Sequence, residues 1–355
     1  MTSILSQYLM RTIFMSSALV LVILLALAGL FEFIAELDDI QNGYQTPQAI
    51  LFSALRLPNL AFELMPIAVL IGSLLGLGAL AANSEIIVMR SAGLSVRRLA
   101  AMVGLSGFVL LVFAALLGEF IGPPLDFYAR DMRNTARHGQ EDERLGNATW
   151  VKDGNSYLHL ERVNSEFEFG SIYLYRFNDD GELESIAQAE NSGIGDDDQW
   201  LLENLRETRF ENDGVQVVET SVAVRDFEVN AELLGNALAK PLSLSLRGLM
   251  TYIDYLERNA LDAGQYTSEL WYRVSRTFSV LIMPVLALAF VFGSLRSGGT
   301  GGRLMIGVVI GLGYYLGSEM LANSGQVFNL NPALIAWFPP LVLLAVTIVA
   351  LARIR

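Results

Sequence analysis

The sequence contains no cysteine. That excludes a disulfide framework, a thiolate metal site and a catalytic thiol. It also suits a domain exposed to an oxidising compartment. Lysine is almost absent, with only Lys152 and Lys240. Neither follows a glycine, so no G-x-x-x-x-G-K-[ST] loop exists and the P-loop route to ATP hydrolysis is closed to this chain. The two histidines, His138 and His159, form no HExxH, and without cysteine they cannot complete a zinc site. They read as a polar-loop residue and a strand-surface residue. No G-x-S-x-G elbow is present. Charge is scarce too: 17% of residues are charged, against about 25% in soluble domains. With 53% hydrophobic residues and a mean hydropathy of +0.43, the composition is that of a membrane protein.

The charges cluster and leave long apolar runs. A spanning helix needs about 20 apolar residues. Runs of that kind lie between Arg11 and Glu32, Leu64 and Ser84, Leu99 and Gly118, and Thr277 and Leu295. A fifth starts after Arg303 and passes Glu319, and a sixth covers Ala333 to Ala352, after the break NSGQVFNLNP (323–332). Pro66, Pro284, Pro339 and Pro340 fall in or near these runs, which spanning helices tolerate. No small-residue cleavage site follows the first run, so it reads as a retained helix.

Orientation follows from arginine. With a cytoplasmic N-terminus, the cytoplasmic segments hold Arg11, Arg90, Arg97, Arg98, Arg296, Arg303, Arg353 and Arg355, with Glu85 their only acid. This is a strong positive-inside asymmetry. It places +7 inside and −20 outside.

Residues 122–268 then lie outside. PPLDFYARDMRNTARHG (123–139) reads as a polar helix or loop leaving the third span. Beyond Ala148 come short alternating runs, TWVK, SYLHLE, SIYLYRF, ESIAQAE, QWLLENL and VQVVETSVAV, with turn signals at Asp153-Gly154, Asp180-Gly181 and Asp213-Gly214. Period-two runs with D-G turns predict antiparallel strands, and their number predicts a sandwich or jelly roll. Leu246, Leu249, Ile253 and Leu256 recur at helical spacing and predict an amphipathic helix before the fourth span. The predicted fold is an α-helical membrane protein of six transmembrane helices with an inserted all-β, jelly-roll-like domain. Its parts are residues 1–121, 122–245 and 246–355.

Three groups of residues carry candidate chemistry. In the cytoplasmic segment NSEIIVMRSAGLSVRR (83–98), Ser84 is a predicted N-cap, Glu85 favours a helix start and Gly93 a stop. Ile86, Met89 and Arg90 share one face. Such a short helix suits docking to a partner or lying on lipid. Arg130, Arg133 and Arg137 form a basic stripe at i, i+3, i+7. Arginine suits phosphate, and the bland alternative is pairing with Asp126, Asp131 or lipid headgroups. At the outer ends of the first and fifth spans stand Phe31, Glu32 and Phe33, and Tyr314, Tyr315, Glu319 and Met320. Acids at membrane depth suggest a cavity or a water interface, and Glu319 lies deeper in its run than Glu32.

SEIIVMRSAG (84–93), GEFIGP (118–123), WVKDGNSYLHLERV (150–163), LSLSLRGLMTYIDYL (242–256) and FVFGSLRS (290–297) resemble the lipopolysaccharide export permease family, and its G-type members in particular. The resemblance covers essentially the whole chain. It implies a non-catalytic transmembrane subunit that extracts lipopolysaccharide from the inner membrane of a Gram-negative cell. Its implied partners are an F-type permease, a cytosolic ATPase homodimer (the B subunit), a bitopic C subunit and a periplasmic bridge protein. Nucleic acid is not among them. No cofactor is implied for this chain, with ATP-Mg entering through the ATPase. The coupling residues implied are Glu85, Ile86, Met89 and Arg90, in a helix at about 84–93. YARDMR (128–133) matches the segment whose arginines meet substrate phosphates. The substrate-side candidates are therefore Arg130, Arg133, Arg137, Phe31, Glu32, Phe62, Met65, Tyr315 and Glu319. One departure stands out. Some members carry a lysine at the outer end of the first span, where this chain has Glu32, so phosphate binding there would need a bridging divalent cation. The alternatives are an F-type paralogue or a lipoprotein-releasing permease. From other classes come an envelope-lipid-modifying enzyme using Glu119 and Asp126, and a structural scaffold.

Overall fold

A computed structural model describes residues 4–40, 43–142, 149–161, 168–195, 199–211, 214–238, 241–292, 300–328 and 330–354. Helix α1 spans Ile4–Leu37, α2 Thr46–Ala82, α3 Glu85–Ser91 and α4 Val96–Leu116. A π-helical turn, Leu117–Ile121, carries α4 without a break into α5, Gly122–Asp142. After the β-domain come α6 (Ala231–Leu238), a 3-10 turn (Pro241–Ser243), α7 (Leu246–Arg258), α8 (Gly264–Phe292), α9 (Thr300–Val327) and α10 (Pro332–Ala352). Among the described residues, six helices are long and apolar enough to cross a membrane, α4 and α5 counting as one. The predicted runs are all there, but two helices start much earlier. Helix α2 begins at Thr46, not near Leu64, and α8 at Gly264, not near Thr277. An apolar-run criterion stops at Glu63 and at Arg276. The helices run on through these charges: Glu63 accepts from Asn59 one turn earlier on α2 at 3.4 Å, and Arg276 lies in the field of Glu269, Glu63 and Glu319.

Helix α2 is the centre of the bundle and packs against α1, α5, α8 and α9. Leu70, Leu74 and Leu77 of α2 meet Val103 of α4 and Met283 and Leu286 of α8 in one buried cluster. In lipid the solvent is as apolar as leucine, so close packing has to hold such helices together. The sequence provides for it with small residues. A Cβ on Gly72 would lie 2.4 Å from the Cα of Ser17, so any side chain there would push α1 off α2.

The rod formed by α4, the π turn and α5 is roughly 70 Å long at 1.5 Å per residue, against a hydrocarbon core of about 30 Å. It therefore carries α5 well beyond the membrane. Helix α3 sits at the other end of the rod.

The β-domain is one curled antiparallel sheet of eight strands: β1 (Thr149–Asp153), β2 (Ser156–Leu160), β3 (Glu168–Phe169), β4 (Ile172–Phe177), β5 (Leu183–Ala189), β6 (Asn191–Ile194), β7 (Trp200–Glu211) and β8 (Gly214–Arg225). Strands β5 and β6 follow one another along a single edge of β7, and β8 pairs with its other edge. Gly154 (φ 56°) and Gly181 (φ 81°) take the left-handed backbone their D-G turns require. The concave side is filled by Leu158, Leu160, Ile172, Trp200 and Leu202, closed from outside the sheet by Leu233 and Leu234 of α6 and Tyr252, Tyr255 and Leu256 of α7. Trp200 is fully buried and donates its indole N–H to the Val229 carbonyl at 2.7 Å. The free edge of β1 is not left open. The hydroxyl of Tyr255 accepts from the N–H of Lys152 at 3.3 Å and donates to its carbonyl at 2.8 Å, in the way a neighbouring strand would.

Candidate functional site

The arginine stripe of α5 is a helical stripe, as its spacing predicts, but it is neutralised from within. Arg130 pairs with Asp126 one turn earlier at 2.8 Å. Arg133 pairs with Glu36 at 3.2 Å and with Asp39, and Arg137 pairs with Asp39 at 3.1 Å. Arg56 of α2 bridges Glu32 of α1 and Asp126 of α5, the latter at 2.9 Å. Arginines 56, 130, 133 and 137 thus face carboxylates 32, 36, 39 and 126, and the formal charges cancel. The guanidinium carbons of Arg56 and Arg133 also lie 5.5 and 5.1 Å from the centroid of the Phe52 ring, which adds cation–π attraction. Glu32 therefore has an internal partner. Beside it, the loop after α1 lies tight on α5: a Cβ on Gly43 would stand 2.2 Å from the Ala136 carbonyl oxygen. Tyr44 is buried there and donates to Glu36 at 3.0 Å. Burial pushes its phenol well above the usual range.

The two carboxylates an enzyme would have used are both occupied structurally. Asp126 is fully buried and also accepts from Ser243. Glu119 sits in the π turn, where the extra residue in the helix turn re-aims its side chain. Its carboxylate accepts the N–H groups of Leu246 and Arg247 at 2.7 and 3.2 Å. It thereby caps the start of α7 beside the Ser245 cap, whose hydroxyl accepts from Gly248 at 3.0 Å.

A second polar group lies deeper, between α2, α8 and α9; sequence reasoning named its α9 side, Tyr314, Tyr315 and Glu319, and missed its α8 side. Arg273 of α8 is buried and donates to the carbonyls of Leu244 and Leu242, fastening the segment that leads into α7. Arg276, one turn further into the span, is partly exposed. It lies in the field of Glu269, Glu63 and Glu319. Among the described residues it forms no direct ion pair. Tyr314 donates to Ser279 at 2.7 Å nearby, Tyr315 is partly buried and Glu319 exposed. The missed signal was the spacing of Glu269, Arg273 and Arg276 at i, i+4, i+7, which puts all three on one side of a helix continuous with the span.

Two substrate-side candidates lie away from any open surface. Phe62 and Met65 are buried in the bundle core. The Phe62 ring lies between the Arg273 guanidinium, 5.4 Å from its centroid, and the backbone of Gly118. Helical spacing alone could not tell the face of α2 turned to α8 from one turned to a cavity. Phe31, by contrast, is 67% exposed. On either side of α2, α1 and α9 present open apolar walls, with Leu27 and Leu30 on one and Val309 and Leu312 on the other.

Helix α3 covers Glu85–Ser91, and Gly93 (φ 93°) ends it as predicted. Ser84 does not cap it with its side chain; it takes a left-handed backbone instead. Ile86 is buried and Met89 packs against the core, while Arg90 on the same face stays exposed. The exposed apolar residues are Ile87 and Val88, at 48% and 63%. Glu85 accepts from the Tyr8 hydroxyl of α1 at 2.8 Å. The guanidinium carbon of Arg90 lies 5.6 Å from the centroid of the Phe292 ring of α8.

The family described as Lipopolysaccharide export system permease LptF/LptG matches residues 7–353. The chain is similar to lipopolysaccharide export system permease protein LptG of Haemophilus influenzae, at 28% identity over 100% of each chain. It is similar to LptG of Escherichia coli K12, at 30% identity over 95% of this chain and 94% of that one. To LptF of the same organism it is 25% identical over 98% of this chain and 94% of that one. The G-type likeness therefore outweighs the F-type. Together with six spans and an inserted β-domain, the match over nearly the whole length means that the chain belongs to the lipopolysaccharide export system permease LptF/LptG family.

Proposed function

We propose that this chain is the G-type permease subunit of an inner-membrane transporter that draws lipopolysaccharide out of the membrane and passes it to a periplasmic bridge. The observation that carries the reading is the family match across residues 7–353 on a bundle with open apolar walls beside α2. Acyl chains need only such walls, and a phosphorylated headgroup needs a cation near the outer half of the bundle. Arg276 meets that requirement better than the α5 stripe, whose arginines are already paired. Arg130, Arg133 and Arg137 would reach a phosphate only by exchanging a carboxylate for it, with Glu32, Tyr315 and Glu319 at the rim. The chain has no P-loop, and in this reading ATP-Mg enters through a partner ATPase homodimer, with α3 the element offered to it. The remaining partners in this reading are an F-type permease, a bitopic C subunit and the bridge protein.

The test is reconstitution. Vesicles containing this chain with its F-type partner and the ATPase should release lipopolysaccharide to an acceptor only with ATP. Release without the ATPase, or chemically altered lipid, would overturn the reading in favour of a membrane enzyme.

A further inference from the structure

The outward face of the β-domain carries an aromatic platform that the bundle does not use. Alternation along β1, β2 and β4 buries Val151, Leu158, Leu160, Ile172 and Leu174 and turns Trp150, Tyr157, His159, Tyr173 and Tyr175 outward. Strand register aligns these into two rows. In one, Trp150 stands opposite His159 and His159 opposite Tyr173; in the other, Lys152 stands opposite Tyr157 and Tyr157 opposite Tyr175. The rings touch across the strands. Centroids are 4.6 Å apart for Trp150 and His159, 5.8 Å for Trp150 and Tyr175, and 5.6 Å for Tyr157 and Phe177. Trp150 remains 60% exposed, and together with the neighbouring rings it forms a contiguous exposed apolar patch, the kind of surface that marks a binding site.

The platform opens into a groove of about 620 Å³ whose far end is polar, formed by Lys152, Asn155, Asn178 and Asp179. Asn155 donates to Asp179 at 2.9 Å, and the Lys152 ammonium donates to the Asn259 carbonyl at 2.8 Å and lies 5.6 Å from the centroid of the Tyr157 ring. Flat rings interleaved with amide, carboxylate, imidazole and ammonium groups are the chemistry of a saccharide site. The C–H faces of a sugar ring lie on aromatic faces, and its hydroxyls need donors and acceptors at the edges. An acyl chain has no use for the polar end, and the sheet's concave side is filled by Trp200 and its neighbours. A partner strand adding at β1 would have to displace Tyr255, which already pairs with the N–H and carbonyl of Lys152.

We propose that this face binds sugar residues of the exported lipid, holding its oligosaccharide against the domain while the acyl chains leave the bundle. The proposal rests on the export reading and adds to it a saccharide site on the periplasmic domain.

The experiment uses the assembled transporter in nanodiscs. Deacylated lipopolysaccharide oligosaccharide, which has no acyl chains, is the titrant, and a photocrosslinking residue at Tyr175 is the reporter. The oligosaccharide should bind saturably. Lipopolysaccharide should crosslink at position 175, and lipid trimmed to its acylated core should not. Trp150→Ala should weaken oligosaccharide binding by about tenfold, the loss of roughly one good ring contact, with thermal unfolding of the complex unchanged. Trp150→Phe, which keeps a ring, should restore most of the binding. Absence of oligosaccharide binding, equal crosslinking of trimmed lipid, or crosslinking of position 175 to a protein subunit would each overturn the proposal. None of these touches the export reading, which is overturned by its own test: no release with ATP, release without the ATPase, or chemically altered lipid.

Discussion

Glu119 of the third span accepts the backbone N–H of Leu246 at 2.7 Å, so a residue of the bundle caps the helix that closes the β-domain. A carboxylate at a helix start satisfies otherwise unpaired N–H groups and suits the positive end of the helix dipole. Glu119→Ala is expected to cost about 1 kcal/mol, the usual value of a cap. Hydrogen exchange would detect it as faster exchange of the amides of residues 246–248, with the core of α2 unaffected. Unchanged protection there would mean that Ser245 caps α7 unaided.

Asp126 holds two cations at once, Arg56 at 2.9 Å and Arg130 at 2.8 Å, and is fully buried. Removing one partner of a buried ion pair leaves uncompensated charge, at about 3–5 kcal/mol. Both arginine side chains keep about a fifth of their exposure, which moves the expectation to the lower end. Asp126→Ala should therefore lower the unfolding temperature of the purified complex and loosen α5 from α2. An Asp126→Ala protein as stable as wild type would show that Glu32 and solvent suffice for both arginines.

These two carboxylates also mark where sequence reading stops. Local signals placed the spans, the D-G turns and the alternating strands, because each depends on periodicity within a few residues. Gly154 and Gly181 adopt the backbone that their turns require. What the chain does not write locally is which side of a helix meets which neighbour. Ile86, Met89 and Arg90 share a face by spacing, yet Ile86 is buried and Met89 packs against the core while Arg90 stays exposed. Arg130, Arg133 and Arg137 form a stripe by spacing, yet Asp39 lies 94 residues before Arg133, and only the tertiary fold brings its charge across. Arg276 was passed over for a similar reason. It stands at the edge of an apolar run, and its setting is supplied by Glu63 of α2 and Glu319 of α9.

The periplasmic domain should show acid sensitivity centred on Glu207. Its hydrogen bond to Arg209, at 2.8 Å, is the largest cause holding this carboxyl below the usual range, with Ser185 and Arg225 adding to it. A depressed folded-state pKa gives stability that is fully present above the unfolded value, about 4.3, and is lost as pH falls through the folded value. Amide protection in β7 is thus expected to fall below about pH 4 in the wild type. In Glu207→Gln it should be lower at neutral pH and flatter with pH. A wild-type profile as flat as the variant's would remove Glu207 as the cause.

Helix α3 allows its two faces to be separated by mutation. Ile87→Asp with Val88→Asp puts charge on the exposed face without entering the core, and is expected to abolish co-purification of the ATPase while the permease stays folded. Ile86→Ala removes a buried side chain and should cost about 2–5 kcal/mol of stability, with ATPase binding reduced only in proportion to the folded fraction. If the double aspartate variant retains its ATPase, the partner docks elsewhere and the exposed residues of α3 lie on lipid.

The last prediction sets the deep cation against the outer stripe. Arg276 lies within a span, partly exposed and without a direct ion pair among the described residues, where a phosphate entering beside α2 would find it. A charge-assisted contact contributes about 1.5–3 kcal/mol, which corresponds to roughly a tenfold or greater loss of affinity when removed. Arg276→Gln is therefore expected to lower lipopolysaccharide photocrosslinking from α9 by about that factor, with the subunits still assembled. Arg276→Lys should be milder, since the charge remains although the planar fork is gone. Arg130→Glu with Arg133→Glu should behave differently. Each change would set a carboxylate against Asp126, Glu36 or Asp39, so like charges would force α5 away from α1 and α2. Loss of fold or assembly should precede any specific loss of lipid binding. Pull-down of the partner subunits alongside the crosslink distinguishes the two. If the double glutamate variant assembles normally and loses the crosslink while Arg276→Gln keeps it, the phosphate site is on the outer stripe and the deep arginine has another role.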